Sequence, residues 1–210
     1  MAQINPELIR HVETNVFPLY SKNDEGHRLD HIGYVIRRSL LFMDQFEGMN
    51  ADMVYAAAAY HDLAHHIDKN RHELLSAEMF YADEGAKRFF TDEQRQVIRE
   101  AIEDHRASSD SVPRSDYGKV ISSADRSTDI DEFFRRTHAY TLKHFPGCTW
   151  EQTLDRCCRH MQDKYGAGGY AKSYVDDREY ALFLDTIRSL LADREAFEEK
   201  YRSVVGGERR

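Results

Sequence analysis

The chain has 210 residues, the size of one ordinary domain, and no shift of composition along it marks a second. Its formal net charge of -8 argues against a general nucleic-acid or membrane-surface binder, since either favours a basic face. Hydrophobic residues make up 41%, enough for one sizeable core, while three cysteines are no disulfide framework and no long apolar run occurs. A cytoplasmic protein without a membrane span is therefore expected.

Good helix formers recur at helical spacing and alternating β-branched runs are lacking, so the fold class expected is all-α. Asn5-Pro6 reads as a cap followed by proline at the first helical position. A second helix is expected over residues 29–46, with Ile32, Val35, Ile36, Leu40, Met43 and Phe46 on its inner face. The third, over 51–65, is apolar nearly all round. It should be central, with Ala56 to Ala59 letting its neighbours approach closely. A fourth covers 71–85. A fifth starts at Thr91, whose pairing with Gln94 forms a capping box, and runs to 105. Helices over 117–144 and 150–164 precede a glycine break at Gly166, Gly168 and Gly169. A last helix over 171–203 ends in a frayed VVGGERR tail. The organisation expected is an N-terminal helix in 1–26, a core in 27–145, and C-terminal helices in 146–210 packing on that core.

The informative residues are polar ones on faces that ought to be buried. His31 lies at the edge of the apolar stripe of its helix, four residues before Val35. His61-Asp62 follows the apolar run MVYAAAAY. His72 precedes Leu75 and Met79, His105 follows Ile98, Ala101 and Ile102, and Asp125 ends KVISSAD. Isolated buried carboxylates and imidazoles are costly, and gathering them around a cation satisfies many at once. Imidazole with carboxylate suits a borderline divalent metal such as manganese, iron, cobalt, nickel or zinc.

In their order these residues resemble the HD-domain superfamily of metal-dependent phosphohydrolases. The likeness lies in His31 of LDHIGYV, His61-Asp62 of AAYHDLAH and Asp125 of SSADRSTD, and it covers residues 27–130. It implies a helical bundle with a metal held by His31, His61, Asp62 and Asp125. It also implies hydrolysis of a phosphoester or phosphoanhydride in a small phosphorylated substrate, often a nucleotide, by a metal-activated water. Some members carry a second metal, for which His72 and His105 are the candidates. Two histidines often stand close together at the later of these places; here Arg106 follows His105, so the second site is expected to be incomplete or water-filled. The catalytic roles expected are Asp62 as ligand and bridge, His105 on the second ion or the leaving oxygen, and Arg126 on the phosphoryl oxygens. Arg106 is a second candidate for the phosphoryl oxygens, and a surface salt bridge is the other reading of both arginines. Asp68 is a weaker candidate for proton transfer, and Lys164 and Arg178 lie where the C-terminal tail of similar hydrolases folds back over the site.

Three other readings stay open. HDLAH approximates the HExxH zinc-peptidase motif, but aspartate is a methylene shorter than glutamate, and His31 and Asp125 would have no role. An HD-fold di-iron oxygenase of a small substrate needs both metal sites complete, against which the single histidine at 105 stands. A non-catalytic HD-fold binding protein would retain the ligands for structure alone. Phe133, Phe134, Tyr140 and Phe145 read as core and rim packing, REAFEEKYR as a solvated helix face, and Cys157-Cys158 as a buried thiol pair. An oligomer is compatible with all of this.

Overall fold

A computed structural model describes residues 3–109 and 111–206, and among them the chain is helical with no strand. The helices are α1 (Pro6–Asn15), α2 (Leu29–Phe42), α3 (Ala51–Tyr60), α4 (His72–Ala82), α5 (Glu84–Lys87), α6 (Asp92–Glu103) and α7 (Asp116–Ala124). They are followed by α8 (Ile130–His144), α9 (Trp150–Tyr165), α10 (Arg178–Ala192) and α11 (Arg194–Val205). No described helix is long and apolar enough to cross a membrane.

Several helices are shorter than hydrophobic spacing predicts, and aspartate caps explain three of the breaks. The expected 117–144 helix divides because α7 ends at Asp125 and α8 restarts at Asp129, whose carboxylate accepts from the Glu132 amide. The expected 71–85 helix divides at Asp83, which accepts from the Gly85 and Ala86 amides to start α5. The expected 171–203 helix becomes α10 and α11, started by Asp177 and Asp193. Residues 171–177 are irregular. Helix α2 stops at Phe42 and continues as a 3-10 turn, Met43–Gln45. Of the VVGGERR tail, Val204 and Val205 still belong to α11, and 207–210 lie outside the described residues. The capping box of Thr91 and Gln94 is present as expected.

The chain forms two units. The first comprises the chain up to Arg126 together with Ser173–Asp176. Helix α3 is its centre: Ala56 to Ala59 have no exposed surface, and α2, α6 and α7 pack on it. Four alanines in succession put methyls on every side of the helix, so neighbouring backbones come close all round. Helix α4 packs on α6, and α1 contributes Leu8 and Val12 to the same core.

The second unit comprises Ser127–Lys172 and the chain from Asp177 onward. Helix α8, placed with the 27–145 core by its sequence position, packs here against α9 and α11. The reason lies in its apolar side. Phe134 meets Phe197 and Tyr201 edge-on at centroid distances of 5.3 and 5.5 Å, and Phe133 meets Tyr165 at 5.6 Å. Phe133 and Phe134 are buried, whereas Tyr140 and Phe145 stay exposed. In the charged run on α11, Phe197 and Tyr201 face inward. Lys164 and Arg178 belong to this unit.

Candidate metal centre

The side chains that converge in the first unit come from helix ends. His31 stands in the first turn of α2 and His72 is the first residue of α4. His61 and Asp125 are the C-terminal caps of α3 and α7, and His105 lies two residues beyond α6. Three C-termini, of α3, α6 and α7, therefore meet two N-termini, of α2 and α4, at one place.

Apolar spacing predicts that helix α3 runs through His61 and Asp62 to residue 65. It ends at Tyr60 because side chains take over its last carbonyls. His61 Nδ1 donates to the Ala58 carbonyl at 2.8 Å, and the Tyr20 hydroxyl donates to the Ala59 carbonyl at 2.8 Å. The turn that follows is secured twice more: the Ala64 amide donates to Ser76 Oγ at 3.0 Å, and Asn23 Nδ2 donates to the Asp62 carbonyl at 2.9 Å.

The same device orients two further histidines. His72 Nδ1 donates to the Lys69 carbonyl at 3.0 Å and His105 Nδ1 to the Ile102 carbonyl at 2.6 Å, each, like His61, to the residue three before it. A carbonyl only accepts, so in each ring the proton sits on Nδ1. Nε2 is then the atom presented to the centre, as in histidines that bind metals.

Two groups of ligand atoms result, and Asp62 belongs to both. Asp62 Oδ2 lies 3.6 Å from His31 Nε2 and 3.5 Å from His61 Nε2, while Asp125 Oδ1 lies 3.1 and 3.7 Å from the same two nitrogens. Asp62 Oδ1 lies 3.2 Å from His72 Nε2 and 3.4 Å from His105 Nε2, which are 3.1 Å apart. The sets His31, His61, Asp62, Asp125 and Asp62, His72, His105 each have ligand atoms within 4.8 Å of one another. The second set is thus supplied with three protein groups despite the lone histidine at 105.

This donor set fits divalent metal. His31 Nε2, His61 Nε2 and Asp62 Oδ1 are buried and have no hydrogen-bond partner within the protein. Such atoms, two nitrogens in the first set and an Asp62 oxygen that faces the second, are costly unless cations lie among them. The electrostatics agree. Burial opposes a charge on His31, yet Asp125 and Asp62 raise its pKa to about 10. Burial likewise opposes the two carboxylates, but His61, His105 and His31 keep Asp62 well below the usual carboxylate range, and His31 and His61 do so for Asp125. His105 is raised against its burial by Asp62, whereas burial and then His105 lower His72. The cluster is anionic at its centre and recruits protons where a cation would sit.

Residues 28–128 match the HD domain family. This segment is an HD domain. It spans α2 to α7, the helices whose ends supply every group of both sets. No curated protein and no solved structure matches the chain.

Around the HD pair, the other expected residues fall in different places. Arg126 is buried, with its guanidinium donating to Ser122 Oγ at 2.6 Å and to the His105 carbonyl at 3.5 Å, and 3.7 Å from Asp125 Oδ2. It ties the turn after α7 to the turn after α6. Arg106 points to Glu73 and the Asn70 carbonyl. Asp68 accepts from the Asn70 amide, a local turn bond. Burial, with a contribution from Cys158, pushes the Cys157 thiol up to about 12, which leaves it unreactive. Sequence reasoning missed Asn23 and Ser76, single polar residues whose importance comes from partners 39 and 12 positions away.

Proposed function

We propose that this protein is a metal-dependent phosphohydrolase acting on a small phosphorylated molecule, a nucleotide or a related compound. The observation that carries the reading is Asp62, whose two carboxylate oxygens face two different sets of imidazole nitrogens. His31, His61, Asp62 and Asp125 would hold one divalent cation, and His72 and His105 with Asp62 a second. Such cations supply Lewis acidity to a phosphoryl oxygen and lower the pKa of water toward neutrality.

The protein's own contribution is to fix the donors before substrate arrives. Nδ1–carbonyl bonds stop the rings of His61, His72 and His105 from turning. Asp62 keeps the two sets in one register. Arg126 joins the turns that carry His105 and Asp125. His105 is then placed beside Asp62 to bind the second cation or to meet the leaving oxygen. The three cysteines are thiols, which suits a reducing compartment such as the cytoplasm.

The test is release of inorganic phosphate or pyrophosphate by the chelator-stripped protein reloaded with manganese, iron, cobalt, nickel or zinc, across nucleotides and simple phosphoesters. Turnover that returns with one of these metals supports the reading, and no turnover with any of them overturns it. A second set with three protein groups, Asp62, His72 and His105, also suits one other reading, a di-iron oxygenase. Oxygen consumption by the iron-loaded protein, with no phosphate released, would select that reading.

A further inference from the structure

A third group of ligand-type side chains lies beside the two sets and is used by neither. Asp24 directly precedes the 3-10 turn Glu25–His27, His27 ends it, and His65 comes from the turn after α3. The rings of His27 and His65 stack with centroids 3.6 Å apart and planes inclined by 21°. Asp24 Oδ1 accepts from His27 Nδ1 at 2.5 Å, and Asp24 Oδ2 lies 3.8 Å from His65 Nδ1. The His65 side chain is only 9% exposed, and its Nδ1 is buried with no hydrogen-bond partner. A buried nitrogen left without a partner and aimed at a carboxylate needs an explanation.

We infer that Asp24, His27 and His65 form a further divalent-cation site, separate from the Asp62-centred pair. Two imidazoles and one carboxylate are a ligand set for borderline metals such as zinc, cobalt or manganese. The ligand atoms of the three residues lie within 4.8 Å of one another. Metal–ligand distances of about 2.0–2.2 Å let one ion bridge atoms up to about 4 Å apart, which covers the gap between Asp24 Oδ2 and His65 Nδ1. The charge already at this place is a lysine: Lys69 Nζ lies 2.9 Å from Asp24 Oδ2 on a side chain that is 68% exposed. An entering cation displaces Lys69 from that oxygen, so the lysine competes with the metal.

The ring of His27 lies 5.8 Å from that of His31, and the ring of His65 lies 5.2 Å from that of His72. The further site therefore borders both sets without sharing a ligand with them. It stands independently of the hydrolase reading, because it is tested by counting ions.

The experiment uses the full chain stripped of metal and titrated with Zn²⁺ alone. Bound zinc is counted by elemental analysis, and a parallel titration with Co²⁺ reports coordination number by absorption. Asp24→Asn and His65→Gln should each bind one equivalent fewer than wild type. Asp125→Ala should lose a different equivalent, and the Asp24→Asn/Asp125→Ala double variant both. Lys69→Ala should tighten the Asp24-dependent equivalent several-fold. Asp24 and Lys69 are partly or largely exposed, so their variants keep the fold if His65→Gln does not. The inference is overturned if folded Asp24→Asn binds as much zinc as wild type and Lys69→Ala leaves the titration unchanged.

Discussion

Asn23 donates its side-chain amide to the backbone carbonyl of Asp62 at 2.9 Å, clamping the turn that carries the HD pair to the segment that leads into α2. Its other bonds are also made: Nδ2 to the His27 carbonyl at 3.1 Å, and Oδ1 from the His66 amide at 3.0 Å. A fully bonded buried asparagine between two ligand-bearing segments fixes both. Asn23→Ala should lower stability by about 1–3 kcal/mol, since it leaves buried groups unpaired. It should also weaken metal binding about 10–100-fold, as other changes behind a ligand do. Denaturant melts with metal titration check both.

Asp62 is the only residue common to the two ligand sets. Asp62→Ala should therefore abolish both of them, with phosphate release down by more than about 100-fold, beyond what a change behind the ligands costs. The helical signal should survive, because the core around Ala56 to Ala59 is untouched. Elemental analysis beside circular dichroism is the measurement, and retention of full metal content by the variant would contradict the bridging arrangement.

The metal-free protein should be most stable near pH 6.5. Burial, followed by His27, lowers the pKa of His65 to about 4, so between pH 6.5 and 4 the unfolded chain binds more protons and stability falls with falling pH. Asp125 and Asp62 raise His31 to about 10 against its burial, so between pH 6.5 and 10 the folded chain binds the extra proton and stability falls with rising pH. Metal displaces the His31 proton, so apparent metal affinity should rise over the same upper window. Thermal melts from pH 4 to 10, with and without chelator, test the peak and its disappearance on loading.

Arg126 is buried where it spans Ser122, the His105 carbonyl and Asp125. Arg126→Ala should weaken metal binding about 10-fold or more by releasing the two turns. Arg126→Lys should recover only part of this, because a lysine keeps the charge but not the planar fork that reaches two turns at once. Zinc affinity of wild type and both variants, measured side by side, decides between a positioning role and simple charge: a lysine variant equal to wild type would mean that charge alone matters, and an alanine variant equal to wild type that Arg126 does not matter.

Much of the fold is visible in local sequence. The capping box at Thr91, the Asn5-Pro6 start and the apolar run of α3 all act through neighbours within one or two turns, so spacing reveals them. Helix ends are less visible there. Aspartates at 83, 129, 177 and 193 cut longer periodic stretches, because a carboxylate that accepts from the next amides outweighs continued apolar spacing. The exact stop of α3 depends on Tyr20, which is 39 residues away from the carbonyl it caps.

Residue type and order by themselves determined that the chain is helical and which imidazoles and carboxylates are available to a metal. Tertiary structure alone decided how they are used: that His61, His72 and His105 turn Nε2 inward, that Asp62 stands between two sets, and that Asp24, His27 and His65 form a third. The reason is directional. A ligand must aim one atom to within a few tenths of an ångström, and at a helix end that aim is set by which carbonyl or distant side chain holds the ring, a partnership made only when the helices pack.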